Sequence, residues 1–306
     1  MERKKMKAMG IDIGGTNTAV SICSSAGKTL GRFDFSTPRS KYPEKTISEI
    51  LRIIDGKYPL DEIGAAGFAV PGMLDPENGF VFSAPNLGWK NFPLKKVLMK
   101  YHRFKKLVFE NDASCAALGV YSAYRGKKPE SLAVLTLGTG IGGGFISGGR
   151  IFSRRDISIF EAGHIKISPE GLPCGCGARG CLEAYCGAAY MNNWAGAMFP
   201  KALQSSVLSS GEIYEKANGG ALWAKKIWKQ YGIYLGMAVS DIVNLLVPAQ
   251  IVFTGGLAGA YSEFKGGLRI SLEKHILPSY RGRSLISVHA GACSVGADGA
   301  AAMTLL

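Results

Sequence analysis

The chain has 306 residues, of which 47% are hydrophobic and 19% charged, a balance that excludes a disordered protein and is long enough for two lobes with separate cores. Because no run of about 18 apolar residues occurs and the basic start lacks the apolar part of a secretory signal, we expect a cytoplasmic protein with no membrane partner. The formal net charge of +13 is dispersed along the chain without a nucleic-acid-binding motif, so it favours a small polyanion such as a nucleoside triphosphate over nucleic acid.

Apolar runs bounded by glycine, proline and polar residues alternate with segments of helical spacing. This alternation predicts an α/β protein. The predicted strands cover residues 6–13, 18–23, 31–36, 63–70, 106–109, 131–137, 144–151 and 250–254.

The predicted helices lie between these strands and at the end of the chain. Asp112 suits a helix start, since aspartate favours that position. A Gly-Lys-Lys-Pro segment at 126–129 predicts a hinge between two lobes. The predicted helices cover residues 48–54, 94–103, 112–124, 221–246 and 296–306.

Two similar strand–turn–strand segments stand at the start of each predicted lobe, and they indicate a duplicated fold. Their backbone N–H groups and hydroxyls can cradle phosphates, because glycine permits positive φ values and close backbone approach. Plain β-turns are the alternative reading. The predicted phosphate-binding residues are Gly14, Gly15, Thr16 and Asn17 in the first loop and Gly138, Thr139 and Gly140 in the second.

Two further features bear on these loops. The second loop contains a G-x-G-x-x-G pattern, but the sequence after it is glycine-rich and strand-like. A dinucleotide-binding fold needs a helix there, so we do not expect one. Asp12, beside the first loop, can orient Mg²⁺ through water, since Mg²⁺ prefers carboxylates together with substrate phosphates.

Three cysteines and a histidine lie close together in a glycine-rich segment. Their spacing allows one tetrahedral site, which predicts a structural zinc ion. The alternative is that small buried thiols crowd there by chance. Glu161 and Glu183 flank the segment, so zinc would hold two carboxylates in place beside a pocket. The predicted ligands are His164, Cys174, Cys176 and Cys181.

Asn111 and Asp112 lie between a predicted strand and a predicted helix. Loops at strand ends of α/β proteins face the ligand crevice. A carboxylate near bound phosphates is what a kinase uses to accept a hydroxyl proton, and Asn111 can bind a polyol. The alternative is that Asp112 only caps the helix.

Short motifs follow one another along nearly the whole chain. They are Asp12 to Asn17, Pro71-Gly72, Pro85 to Trp89, Glu110 to Asp112, Leu137 to Gly144, Glu161 to His164, Cys174 to Glu183 and Thr254 to Gly256. In this order they resemble the ROK family of sugar kinases and repressors, within the hexokinase–actin superfamily. The resemblance implies an α/β, two-lobed actin-like ATPase (ribonuclease H-like) fold with the structural zinc site in the large lobe. It also implies a small lobe of residues 1–125, joined by a C-terminal helix at about 292–306, and a large lobe of residues 126–291.

The resemblance also implies an activity. It is ATP-dependent phosphorylation of a hexose at the 6-hydroxyl, as in a glucokinase, with ATP, Mg²⁺ and structural Zn²⁺. Asp112 would be the general base, His164 would serve both zinc and sugar, and Gly255 and Gly256 would lie against the adenosine. The implied sugar-binding residues are Gly72, Asn86, Asn111, Asp112, Glu161, His164 and Glu183.

Several alternatives stay open. N-acylmannosamine kinase and fructokinase activities would use the same site residues. A sugar-sensing regulator without catalysis is a different class, and the combination of Asp112 with two phosphate loops argues against it. The repressor branch carries a DNA-binding segment before the first loop, for which we expect no room ahead of Asp12. The resemblance implies a homodimer or homotetramer.

Overall fold

A computed structural model gives the structure of most of the chain. Among the residues it describes, no helix is both long and apolar enough to cross a membrane. The described residues are 7–154, 156–157, 159–199, 208–289 and 294–306.

The chain forms two compact units. The first contains the described residues within Met1–Lys128, Gly144–Phe160 and Gly291–Leu306, and the second contains those within Pro129–Gly143 and Glu161–Ala290. The lobe boundaries that the sequence predicts stay a prediction.

The first unit contains a five-stranded and a three-stranded sheet. The strands up to residue 111 are β1 (Lys7–Ile13), β2 (Asn17–Cys23), β3 (Thr29–Ser36), β4 (Ile63–Val70), β5 (Met73–Asp75), β6 (Phe80–Ala84), β7 (Trp89–Phe92) and β8 (Lys106–Asn111). The larger sheet has the order β3-β2-β1-β4-β8, and the smaller has the order β5-β6-β7. In the larger sheet β1 pairs antiparallel with β2 and parallel with β4, and β4 pairs parallel with β8.

Three helices of the first unit lie between these strands or directly after them. They are α1 (Pro43–Lys57), α2 (Leu94–Tyr101) and α3 (Asp112–Ala123). Alternate residues of a strand point to opposite faces of a sheet. Met9, Ile11 and Ile13 therefore share one face of β1, where they join a buried apolar cluster with Ile47 and Ile50 of α1.

The second sheet contains the remaining five strands. They are β9 (Ser131–Leu137), β10 (Ile141–Ser147), β11 (Arg150–Ile151), β12 (Gln250–Thr254) and β13 (Leu285–Val288). The strand order is β11-β10-β9-β12-β13, and β12 pairs parallel with both β9 and β13. In each five-stranded sheet, one edge has antiparallel neighbours and the other edge has parallel neighbours. This shared strand order confirms the predicted duplication.

Most of the remaining helices belong to the second unit. The exception is the last, α9, which belongs to the first. The helices are α4 (Glu183–Cys186), α5 (Met191–Met198), α6 (Ser210–Asn218), α7 (Leu222–Leu246), α8 (Tyr261–His275) and α9 (Val295–Met303).

Helix α9 packs on the face of the first sheet that carries small residues. A Cβ atom added to Gly10 of β1 or to Gly67 of β4 would overlap the backbone of α9, at Ala297 and Ala300 respectively. Asp298 of α9 also accepts hydrogen bonds from Arg32, at 2.8 Å and 2.9 Å. The helix can approach this closely only because glycine has no side chain.

The structure confirms the two glycine hairpins, the start of α3 and the long helix α7. It differs at residues 144–151, where the sequence predicts one strand. Two strands form there because Gly148 and Gly149 take positive φ values of 55° and 79° and reverse the chain. The tail helix is shorter than predicted, and Met6 and residue 292 lie outside the described residues.

The close approach of α9 predicts a stability difference between two glycine-to-alanine changes. Gly67→Ala should lower the free energy of unfolding by about 1–3 kcal/mol or more, because the new methyl group overlaps the Ala300 carbonyl. Gly56→Ala in α1 is the matched control, since nothing lies within 4 Å of its added Cβ, and it should be neutral or stabilising by up to about 1 kcal/mol. Urea unfolding of both variants measures this, and equal effects would contradict the packing.

Candidate active site and metal centre

The first glycine loop connects β1 and β2 and is held by its carbonyl groups. Gly14 N–H donates to the Asn17 carbonyl at 3.0 Å, which closes the turn. The Thr37 hydroxyl donates to the Gly14 carbonyl at 2.7 Å, and Thr37 N–H donates to the Thr16 carbonyl at 2.8 Å. Thr16 and Asn17 are exposed. Thr37 therefore fixes the loop through its carbonyl groups, while Thr16 and Asn17 remain exposed to solvent.

Of the two properties predicted for the loop glycines, the structure shows close backbone approach and not positive φ. The glycines are needed for close approach: a Cβ atom on Gly15 would lie 2.7 Å from the carbonyl oxygen of Asn86, in the exposed 3₁₀ turn Pro85–Leu87. This contact brings two predicted site residues together. In the described chain, positive φ is absent from Gly14, Gly15, Gly138 and Gly140.

Asp12 and Asp112 form an interacting carboxylate pair in the first unit. Asp12 lies on the face of β1 that α9 covers, where a Cβ atom on Gly296 would overlap its carboxylate. Burial, and secondarily the negative charge of Asp112, raise the pKa of Asp12 to about 8. A cation at this position would favour the ionised carboxylate. The donor chemistry therefore fits Mg²⁺, which prefers oxygen ligands.

The cap of α3 is Asn111 rather than Asp112. The Asn111 side-chain oxygen accepts from Ala113 N–H at 2.9 Å and from Ser114 N–H at 3.3 Å. Asp112 is the first helical residue, and one of its carboxylate oxygens accepts from Ala113 N–H at 2.9 Å. The alternative in which Asp112 serves only as the N-cap is therefore wrong.

Asn111 also holds the turn that follows β4. Its side-chain amide donates to the Gly72 carbonyl at 3.1 Å. Gly72 has a φ of 88°, and a Cβ atom there would overlap the Ser83 carbonyl, so the turn requires glycine. The structure therefore places Gly72, Asn111 and Asp112 together at the ends of β4 and β8.

The four predicted zinc ligands converge in the second unit. One ligand atom from each of them lies within 4.8 Å of all the others. The Cys176 and Cys181 sulfurs are 3.7 Å apart, and His164 Nδ1 is 3.9 Å from the Cys174 sulfur. Tetrahedral zinc with sulfur ligands at about 2.3 Å needs sulfur–sulfur distances of about 3.8 Å. The four residues therefore fit a structural zinc ion.

Lys166 is a residue of this centre that the sequence reasoning missed. Its ammonium group lies 2.7 Å from the Cys181 sulfur. Three thiolates and one neutral imidazole around Zn²⁺ carry a net charge of −1, which this lysine offsets. Its position two residues after His164 was the available signal.

Glu183 connects the zinc segment to the second glycine loop. One of its carboxylate oxygens accepts from Ile141 N–H at 2.9 Å, and its other oxygen lies 3.9 Å from the Cys174 sulfur. The loop carbonyls are held as well, since Ala188 N–H donates to Gly138 at 2.9 Å. The second loop is therefore fixed by the chain that leaves the zinc site.

Glu161, His164 and Glu183 form an electrostatic group in the second unit. His164 N–H donates to the Glu161 carbonyl at 2.9 Å across a 3₁₀ turn. Burial raises the pKa of Glu161, and the negative charge of Glu183 adds to this shift. These three predicted sugar-binding residues are thus brought together.

Gly255 and Gly256 follow the end of β12. Gly255 has a φ of 91°, and a Cβ atom there would lie 2.5 Å from the Leu137 carbonyl at the end of β9. The predicted adenosine residues therefore lie next to the second glycine loop, which begins at Gly138.

The sequence resembles those of known proteins over nearly its whole length. The sequence pattern of the ROK family matches residues 8–305. A glucokinase of Thermotoga maritima is 32% identical over 288 residues, covering 91% of this chain and 90% of that protein. An N-acetylglucosamine repressor of Escherichia coli O157:H7 is 26% identical over 289 residues, covering 92% of this chain and 71% of the repressor.

The fold was also compared with solved structures. A ROK family glucokinase from Streptomyces griseus, in complex with glucose and AMPPNP, matches with a TM-score of 0.81 and 27% identity, covering 97% of this chain and 99% of that one. The likeness confirms the α/β fold class that the sequence predicts. The convergence of His164 and the three cysteines in this chain fits the structural zinc site that was predicted with that fold.

The metal centre predicts the zinc content of two cysteine variants. The wild-type protein should contain one zinc ion per chain, and Cys181→Ser should lose most of it, because a tetrahedral site loses one of four ligands. Cys186→Ser is the matched control, since Cys186 is buried against the Tyr231 carbonyl and outside the ligand set. Elemental analysis measures both, and equal zinc in the two variants would overturn the assignment.

The raised pKa of Asp12 predicts a pH dependence of stability. Its pKa is about 8 in the folded chain against an ordinary 3.8, so the folded state binds the proton more tightly. Its contribution is complete below about pH 4 and is lost as the pH rises to about 8, by up to about 1.4 kcal/mol per pH unit. Without metal or nucleotide, stability should therefore fall more steeply from pH 6 to 8 in the wild type than in Asp12→Asn. Parallel slopes in urea unfolding would contradict the shift.

Proposed function

The chain belongs to the ROK family, and we propose that it transfers the terminal phosphoryl group of ATP to the 6-hydroxyl of a hexose, with glucose as the first candidate. The observation that carries the proposal is the carboxylate pair of Asp12 and Asp112, next to a glycine loop. One carboxylate can accept a proton while the other orients a cation.

Asp112 is the proposed general base. Its carboxylate accepts the proton of the sugar 6-hydroxyl as that oxygen forms a bond to the γ-phosphorus of ATP. The bond from this phosphorus to the β,γ-bridging oxygen breaks, and ADP leaves with that oxygen. The position at the first turn of α3 supports this role, because Asn111 and not Asp112 is the N-cap of the helix.

The two glycine loops are the proposed phosphate sites. Gly14, Gly15, Thr16 and Asn17 form the first, and Gly138, Thr139 and Gly140 form the second. Hydrogen bonds to the carbonyls hold both loops, and the Gly14 and Gly138 N–H groups close the turns, which supports loops that keep a fixed shape for phosphate. Mg²⁺, when bound with ATP, supplies positive charge that neutralises the phosphates, and Asp12 would hold it through water. Gly255 and Gly256 would lie against the adenosine.

Two sets of polar groups are the proposed sugar-binding residues. Asn111, Asn86 and the Gly72 backbone belong to the first, and Glu161, His164 and Glu183 belong to the second. His164 faces the zinc ligands with Nδ1, which leaves Nε2 for a sugar hydroxyl. Zinc supplies no catalytic chemistry in this scheme, since its four protein ligands form a closed structural site.

Substrate choice within this class follows from the hydroxyl pattern. N-acylmannosamine and fructose remain candidates, because discrimination depends on which buried polar groups an epimer leaves unpaired. The relatives named glucokinase, and the glucose complex of the Streptomyces griseus protein, support glucose as the first candidate. A homodimer or homotetramer remains part of the proposal.

A sugar-sensing regulator is the second candidate, and the likeness to the N-acetylglucosamine repressor favours it. A sensor needs a sugar pocket but needs neither a base nor an adjacent cation-binding carboxylate. The pairing of Asp12 with Asp112 therefore supports the kinase.

The proposal predicts the effect of removing the base. Asp112→Asn should lower kcat by about 10²–10⁴-fold while sugar affinity changes little, because the amide keeps the shape of the side chain but accepts no proton. Asp34→Asn, the same chemical change at an exposed residue of β3, should leave kcat unchanged. An ADP-release assay with ATP and Mg²⁺ measures turnover on glucose, mannose, fructose, N-acetylglucosamine and N-acetylmannosamine. Absence of turnover on all of them by zinc-loaded wild-type protein would reject the kinase in favour of the sensor.

A further inference from the structure

A pocket of about 430 Å³ in the first unit is lined mainly by residues that have no role in the proposed reaction. It lies between the segment of residues 37–41 after β3, the segment of residues 85–89 and Thr46 of α1, and it reaches Gly15. We call it the Arg39 pocket. Its lining residues are Gly15, Thr37, Pro38, Arg39, Ser40, Lys41, Thr46, Pro85, Asn86, Leu87, Gly88 and Trp89.

The charge of the Arg39 pocket is one-sided. Arg39 and Lys41 line it, and no aspartate or glutamate is among the lining residues that the structure describes. Arg39 donates to the Gly15 carbonyl at 3.1 Å, a contact that orients the guanidinium without neutralising it. Glu44, a nearby acid of α1, is paired with Lys100 at 3.2 Å. Two cations are therefore available to an anion.

Local structure adds to this positive potential. Helix α1 begins at Pro43, and its N-cap residue, Tyr42, provides no side-chain cap. The partial positive charge at the start of a helix favours a nearby anion. The Lys41 ammonium lies 5.0 Å from the centre of the Tyr42 ring, a cation–π contact that restrains its position.

The rest of the lining selects among anions. The side chains of Ser40 and Thr46 offer hydrogen-bonding groups of the kind that sugar hydroxyls need. The one aromatic ring in the lining, Trp89, is only 2% exposed, so it cannot stack on a nucleotide base. The volume suits a small molecule of monosaccharide size.

We propose that the Arg39 pocket, which borders the proposed active site at Gly15 and Asn86, binds a phosphorylated monosaccharide whose phosphate monoester is held by Arg39 and Lys41. Arginine matches phosphate oxygens with paired N–H donors, and the two positive charges balance a phosphate dianion. If the proposed kinase activity is correct, the ligand belongs to the class of its own product, and the site allows that product to act back on the enzyme.

The test is calorimetric titration of the full zinc-loaded protein with glucose 6-phosphate, glucose and inorganic phosphate. The double variant Arg39→Gln/Lys41→Gln should bind glucose 6-phosphate at least about tenfold more weakly, since both charge-assisted contacts are lost, while glucose affinity stays within about twofold. Lys41→Gln alone, which keeps the Arg39 contact to the first loop, should show an intermediate loss. Lys57→Gln, at the other end of α1, removes one positive charge as Lys41→Gln does, so it is the matched control for that single variant and should bind as the wild type does.

Three results would overturn the proposal. They are absence of glucose 6-phosphate binding to the wild type, equal binding by the double variant, and inorganic phosphate binding as tightly as the sugar phosphate. Equal binding by the double variant would place the ligand in the proposed active site instead. Turnover is measured separately: a wild type without kinase activity that still binds glucose 6-phosphate through Arg39 and Lys41 would reject the proposed function and retain this site.

Discussion

The first unit depends on the contact of α9 with two other elements. Helix α9 approaches β1 at Gly10, and it approaches α3 where a Cβ atom on Gly299 would overlap the Cys115 carbonyl. β1 carries Asp12, and α3 begins with Asp112. One helix therefore fixes the separation of the two carboxylates. Small residues are required at these contacts because any side chain would push the helix away and separate the pair.

The metal centre has a comparable role in the second unit. Three of its four candidate ligands come from a glycine-rich segment with little regular secondary structure, which a bound metal ion would hold together. Glu183 follows this segment and binds the N–H of Ile141. A metal ion that fixes this segment would therefore also fix the second glycine loop, through the Glu183 carboxylate. Lys166 balances the charge that the thiolates bring into the centre.

Much of this could be predicted from the sequence, because the signals are local. The glycine hairpins, the four metal ligands and the start of α3 each lie within a short segment. The strands β5 to β7 were not predicted, since segments of three to five residues are too short to show a period. The lining of the Arg39 pocket and the hydrogen bond from Ile141 N–H to Glu183 each involve residues far apart in sequence. No local sequence pattern reveals such contacts. Of the two properties predicted for the loop glycines, close backbone approach is present and positive φ is not.

The discontinuity of the first unit has a consequence for synthesis. Helix α9 comes after the whole second unit in the chain, yet it covers the sheet that the earliest strands form. The ribosome therefore releases the second unit while one face of the first sheet still lacks its helix. If each unit folds as it is synthesised, the second unit can be complete before the first. The face of the first sheet at β1 and β4 then stays exposed to other chains until α9 emerges.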